Sequence, residues 1–261
     1  MLLLRAEEEN GMQFVRVDVS EAIAIVELSR GKVNALNESV VEELANVFSS
    51  LKKDREVGGV VLSGYGEFFS FGFDVGEMLT FSKERFAFYL ERFTCLYSEM
   101  FGFPKPLVIA LNGHAIAGGC MLALAGDIRV MAEERAKMGM NEIAFGSALL
   151  AGSVEMLRFC VGEKKAQEVV YSGKLYGASE ALKMGLVDQI VTKSNLVVNA
   201  LDAARTLLKK CQPAFLEIKA LLREPTLARM RESERESIAA FIDIWYSPDT
   251  LNRLKRIVIH S

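Results

Sequence analysis

The sequence predicts an α/β fold with a parallel sheet and a helical C-terminal region. Two patterns lead there. Short apolar runs alternate with stretches whose apolar residues recur at helical spacing, as crossover connections between parallel strands require. Beyond Leu149 the chain is almost entirely helical in pattern.

Phe14, Val15, Val17 and Val19 predict a first strand. Ala22 to Leu28 (AIAIVEL) predicts a second, with Ser20-Glu21 as the turn. Asn37 is a good N-cap for an amphipathic helix to about Lys53, because Val40, Val41, Leu44, Val47, Phe48 and Leu51 share one face. Gly58-Gly59 opens a short buried strand through VVL. A loop rich in Gly and Phe, Ser63 to Met78, leads to a helix from about Lys83 to Met100, which Pro104 and Pro106 end.

From Pro106 to Gly126 there is no Asp, Glu, Lys or Arg. The length would suit a membrane span, but Asn112-Gly113-His114 and Gly118-Gly119 punctuate it. It is therefore read as a strand (Leu107 to Leu111), a turn and a buried helix (Gly118 to Ala125), with no membrane partner. Ile128 to Met131 is a further strand. Gly185 fits a helix C′ position ahead of a short strand at Leu186-Val187. The predicted organisation is a core over residues 1–194 and a helical oligomerisation region over 195–261, including a long helix through Trp245.

Composition narrows the function. The chain has 261 residues, 51% hydrophobic and 25% charged, with a net charge of −3. No Lys/Arg block supplies the electrostatic footprint of a nucleic-acid binder. Cys95, Cys120, Cys160 and Cys211 are far apart with no C-x-x-C, against a disulfide framework or thiolate metal site. The apolar stretch Met1 to Leu4 gives way to Arg5 and Glu7 to Glu9, too short for a signal peptide, so a cytoplasmic protein is expected.

The chemistry on offer is restricted. The two histidines are His114, in a turn, and the penultimate His260. His114 reads as a histidine hydrogen-bonded to backbone rather than a catalytic one, and neither supports a triad or a histidine metal site. There is no P-loop and no G-x-G-x-x-G after the first strand. Two glycine-containing loops follow buried strands: FFSFGFD (68–74) and NGHAIAGGC (112–120). Such loops can aim backbone N–H groups at one point, where they would form an oxyanion hole. Glu142, amid Met, Ile, Ala and Phe, would be a usable base if burial raised its pKa, and a capping carboxylate if it lay on the surface.

Taken in order, GKVNALN, FFSFGFDVGEM, KPLVIALNGHAIAGGC, GDIRV, GMNEI and ASEALKMGLVDQIV resemble the crotonase (enoyl-CoA hydratase/isomerase) superfamily over nearly the whole chain. The resemblance implies a ClpP-like spiral of ββα turns capped by C-terminal helices that build trimers, often paired into hexamers. It implies an acyl-CoA substrate, with coenzyme A present only as part of the thioester and no metal or other cofactor. By motif position the oxyanion amides belong to Phe73 and Gly118. Lys32, Val33, Ser70, Phe71, Asp74 and Val75 fall along the substrate, mainly through backbone, or else serve as turn and core residues, with Asp74 as a cap.

Hydratases of that family use two glutamates. Here the position after GGC is Met121, a substrate-site residue without acid–base capacity, while Glu142 keeps the second. A double-bond shift needs one base, so the resemblance is closest to the mitochondrial-type 3,2-enoyl-CoA isomerase branch, which Asn141 in GMNE also matches. Gly76 stands where many members place Lys, and residues 146–153 lack the hydratase pattern of proline and glycine. A hydratase, another acyl-CoA hydrolase or lyase, and a non-catalytic binding module are the alternatives.

Overall fold

The computed structural model describes residues 12–256; the apolar start of the chain and His260 lie outside the described residues. β1 (Val15–Ser20) and β2 (Ile23–Leu28) form an antiparallel hairpin with Ser20 opposite Ile23. The turn residues are Glu21 and Ala22, at φ 51° and 62°, one position later than the sequence suggested. A two-residue hairpin turn matched to strand twist needs positive φ at both central positions, and here neither is glycine.

α1 (Glu38–Lys53) is capped by Asn37, whose side chain accepts from Val40 N at 3.0 Å. Its buried face comprises the six apolar residues that the helical spacing picks out. β3 (Gly59–Gly64), β5 (Leu107–Leu111), β7 (Ile128–Ala132) and β10 (Gln189–Val191) continue the sheet in the order β1-β2-β3-β5-β7-β10, parallel from β2 onward. A second, smaller sheet has the order β4-β6-β8-β9, with β4 Phe68–Ser70, β6 His114–Ile116, β8 Lys137–Gly139 and β9 Tyr176–Gly177.

The two sheets arise from one repeated unit. β3 leads to β4, β5 to β6 and β7 to β8, each giving one strand to each sheet. The pairs are followed by helices: α2 (Val75–Met78) and α3 (Lys83–Phe101), then α4 (Gly118–Leu124), then α5 (Ala151–Val161) and α6 (Glu163–Ser172). This is the ββα spiral that the resemblance implies. The stretch free of charge before Gly126 is β5, β6 and α4, and no helix among the described residues is long and apolar enough to cross a membrane.

The strand expected at Leu186-Val187 is a correction. α7 (Ala178–Met184) ends at Gly185, φ 86°. The N–H groups of Leu186 and Val187 both donate to Ala181 O, at 2.9 and 3.4 Å, so they close the helix end instead of entering a ladder. Pairing begins at Gln189, opposite Val130.

α8 (Leu196–Leu208) lays Leu196, Ala200, Ala203 and Ala204 on one face of the large sheet. α9 (Gln212–Trp245) packs along α3 and α5. Two buried cations fix its first half: Lys219 Nζ and Arg223 Nη2 reach the two oxygens of Asp127 at 2.8 and 2.9 Å. Arg223 Nη1 also donates to Phe101 O and Ala125 O, carbonyls at the ends of α3 and α4. α10 (Pro248–Leu254) follows, capped by Ser247.

Candidate active site

The site forms where the β4–α2 loop meets the β6–α4 loop. Their approach depends on small residues. A Cβ on Gly119 would lie 2.3 Å from Ser70 O, and one on Gly72 2.8 Å from Ile116 O. Gly72 also has φ 94°, which disfavours any side chain. Ala117, just before α4, takes φ 49° and ψ −118° without a glycine's freedom, a strained backbone of the kind that clusters at functional sites.

Hydrogen bonds around the first loop determine where its amides point. Phe71 N donates to Val33 O, Leu36 N to Gly72 O, and Asp74 N to Leu36 O. The last two form a parallel bridge between Leu36 and Phe73, and in such a bridge the central residue's own N–H faces away from the partner strand. The Gly118 N–H is the first of α4, where no intrahelical acceptor exists. Among the described residues neither amide has a hydrogen-bond acceptor. Both residues line a cavity of about 250 Å³.

Glu142 lines the same cavity. It begins a 3₁₀ turn, Glu142–Phe145, separated from the end of β8 by Met140 and Asn141, and is 3% exposed. Among the described residues neither carboxyl oxygen has a hydrogen-bond partner. Burial pushes its pKa from 4.5 up to about 8. Met121, fully buried, contributes a thioether to the wall. Glu142 is the one ionisable side chain among the residues that line the cavity.

The structure thus brings together Glu142, Phe73, Gly118, Met121, Phe71 and Val75. Lys32, Val33, Ser70 and Asp74 lie outside the cavity wall. Lys32 is exposed. Val33 offers its carbonyl to Phe71. Ser70 Oγ is spent inside the scaffold, donating to Asn34 O at 2.7 Å and accepting from Gly72 N at 3.1 Å. Asp74 caps α2 by accepting from Glu77 N, and pairs with Arg30 at 2.7 Å. His114 packs on Phe68, with ring centroids 4.9 Å apart, and its buried Nδ1 has no partner.

Eight residues of the wall were not picked out as site residues from sequence: Ile116, Ala117, Asn141, Ala144, Phe145, Ser147, Phe241 and Trp245. The last two belong to the C-terminal turns of α9. Trp245 is the single tryptophan of the chain and stands at the end of the longest helix, the one signal that was available.

Fold and cavity define an α/β spiral that sets a buried, unpartnered carboxyl in one pocket with two free backbone amides. Comparison with known proteins agrees. The pattern of the enoyl-CoA hydratase/isomerase family matches residues 18–246. A probable enoyl-CoA hydratase of Rhizobium meliloti is 31% identical over 245 residues, which cover 87% of this chain and 93% of that one. Human mitochondrial enoyl-CoA delta isomerase 1 is 29% identical over 233 residues, 87% of this chain and 77% of that protein. The crystal structure of human mitochondrial delta3-delta2-enoyl-CoA isomerase superposes with a TM-score of 0.89 at 27% identity, covering 93% of this chain and 96% of that one. The chain belongs to the enoyl-CoA hydratase/isomerase family, and its fold is the crotonase fold.

Proposed function

We propose that this enzyme shifts the double bond of a 3-enoyl-CoA to the 2-trans position, with Glu142 as its single acid–base group. The observation that carries the reading is the cavity wall itself: one ionisable side chain, with a methionine where a second carboxylate would manage water. In its ionised form Glu142 takes a proton from C2 of the thioester. The electron pair moves into a dienolate whose negative charge rests on the thioester oxygen. The Phe73 and Gly118 N–H groups, free of other acceptors, donate to that oxygen. Protonated Glu142 then returns the proton at C4, leaving the double bond between C2 and C3. A carboxyl with no partner on either oxygen suits both positions, because no hydrogen bond must break for it to turn.

Coenzyme A enters as the thioester's own carrier, with the 29–35 turn and the β4–α2 loop, including Lys32, Val33, Asp74 and Val75, as its proposed path. Exposed Ile218, Leu221 and Leu222 on α9 support assembly into trimers or paired trimers. A cytoplasmic setting is part of the same proposal.

Hydration of 2-enoyl-CoA is the second reading, favoured by relatives described as probable hydratases. It needs a group besides Glu142 to handle water's second proton. The direct test is Glu142→Gln assayed on 3-hexenoyl-CoA: loss of about 10²- to 10⁴-fold is expected for removal of a general base. Equal activity of variant and wild type would refute the role.

A further inference from the structure

Glu142 is not the only unsatisfied side chain among the residues that line the cavity. Asn141 Oδ1, Ser147 Oγ and Trp245 Nε1 are also buried without a partner, and all three residues line it. Among the described residues the remaining buried side-chain atoms of this kind belong to Tyr97 and His114, neither of which lines this cavity. Native interiors leave few polar atoms unpaired. Their concentration in the wall of one cavity points to partners outside the chain, a bound ligand or ordered water.

Asn141 adjoins the proton-transfer group in the chain, whereas Ser147 and Trp245 are brought in by separate supports. Ser147 N donates to Glu142 O at 3.0 Å, and the preceding Gly146 carbonyl accepts from Thr250 Oγ1 at 2.7 Å, so α10 braces this loop. Trp245 is packed against Phe86 and Phe241, with centroids 4.9 and 5.7 Å away. The indole N–H only donates, while the serine hydroxyl both donates and accepts. An all-hydrocarbon acyl chain would leave both groups unpaired. Among the described residues no Lys or Arg lines the cavity, so a carboxylate or phosphate would be buried without a counter-charge. The group that fits is a neutral oxygen.

We propose that Ser147 and Trp245 form a polar subsite that selects acyl chains bearing a hydroxyl or ketone oxygen. That oxygen accepts from Trp245 Nε1–H and pairs with the Ser147 hydroxyl. The inference rests on the acyl-CoA reading of the cavity. A site built to hydrogen-bond such an oxygen discriminates against the analogue that lacks it, because its own groups are then stranded.

The test is calorimetric titration of the full chain with hexanoyl-CoA and with its ω-hydroxy and (ω−1)-oxo derivatives, saturated thioesters that have no double bond to shift. In wild type at least one oxygenated thioester should bind about three- to tenfold more tightly than hexanoyl-CoA, the scale of one net hydrogen bond. Ser147→Ala and Trp245→Phe should each bring that ratio towards one. The ratio in Ser147→Ala decides if the tryptophan variant does not fold. A wild-type ratio of one or less for both derivatives, as when ordered water fills the subsite, overturns the proposal, and so does a ratio that survives both substitutions. Failure of all three thioesters to bind would instead refute the acyl-CoA reading.

Discussion

Raising the pH from 7 to 9 is the perturbation whose effect follows most directly from the cavity. Only the ionised form of Glu142 can abstract the C2 proton, and burial holds its pKa at about 8. At pH 7 roughly one molecule in ten then carries the carboxylate, and at pH 9 roughly nine in ten. The expected kcat/KM on 3-hexenoyl-CoA therefore rises about tenfold over that interval, and falls about tenfold for each pH step below 7. Initial rates at substrate concentrations far below KM, followed spectrophotometrically in constant-ionic-strength buffers, measure it. The causes can be separated: among the residues that line the cavity no cation lies beside the carboxyl to pull its pKa back down. A profile already flat from pH 6 upward, with an apparent pKa near 4.5, would refute the reasoning, because it would mean that the carboxyl is hydrated in the free enzyme.

The same burial has a thermodynamic counterpart. A carboxyl whose pKa is raised on folding binds more protons in the folded than in the unfolded state between pH 4.5 and about 8, so stability falls as pH rises through that window. The full loss is on the order of 5 kcal/mol. Glu142→Gln should therefore raise Tm, and raise it more at pH 9 than at pH 5; equal shifts at both pH values would contradict this. Gly72→Ala would force a Cβ to within 2.8 Å of Ile116 O at φ 94°, and should lower activity at least tenfold and stability by about 1–3 kcal/mol, read by assay and denaturant titration. Lys219→Met removes one of two cations from Asp127 and should cost about 3–5 kcal/mol in the same titration. Light scattering should give three or six times the chain mass; a monomer would remove the proposed role of the apolar residues on α9.

Long periodic elements were legible in the sequence, and very short ones were not. α1 and α3 span several turns, so their apolar residues repeat often enough to show a face. β4, β6 and β8 have three residues each, fewer than two periods of an alternating pattern, and their pairing is determined by distant segments. β4 was therefore read as part of a loop and β6 as part of a turn, β8 was given no element, and β9 fell within the region read as helical. Leu186-Val187 misled for a different reason. Both residues are buried, but as the end of α7, and burial without hydrogen-bond direction does not distinguish a cap from a strand.

In the site, Glu142 and the two glycine-containing loops were picked out by the order and spacing of the motifs that resemble the family, since glycine turns between strand and helix are common on their own. Phe241 and Trp245 did not, because they lie about a hundred residues downstream of Glu142 in α9, and only the packing of that helix on α3 and α5 returns them to the cavity. Ser70 shows the converse. Its position in the motif is conspicuous, yet its hydroxyl is consumed in joining the Asn34 turn to Gly72. It shapes the loop that aims the Phe73 amide and does not face the cavity.

The most direct measurement compares purified protein on 3-hexenoyl-CoA and crotonyl-CoA under identical conditions, resolving products by chromatography. A single carboxyl in a cavity wall shared with Met121 predicts conversion of the first to 2-trans-hexenoyl-CoA with no hydration of the second. Hydration of crotonyl-CoA at a comparable rate would mean that another residue manages the second proton, and that Glu142 does not act alone.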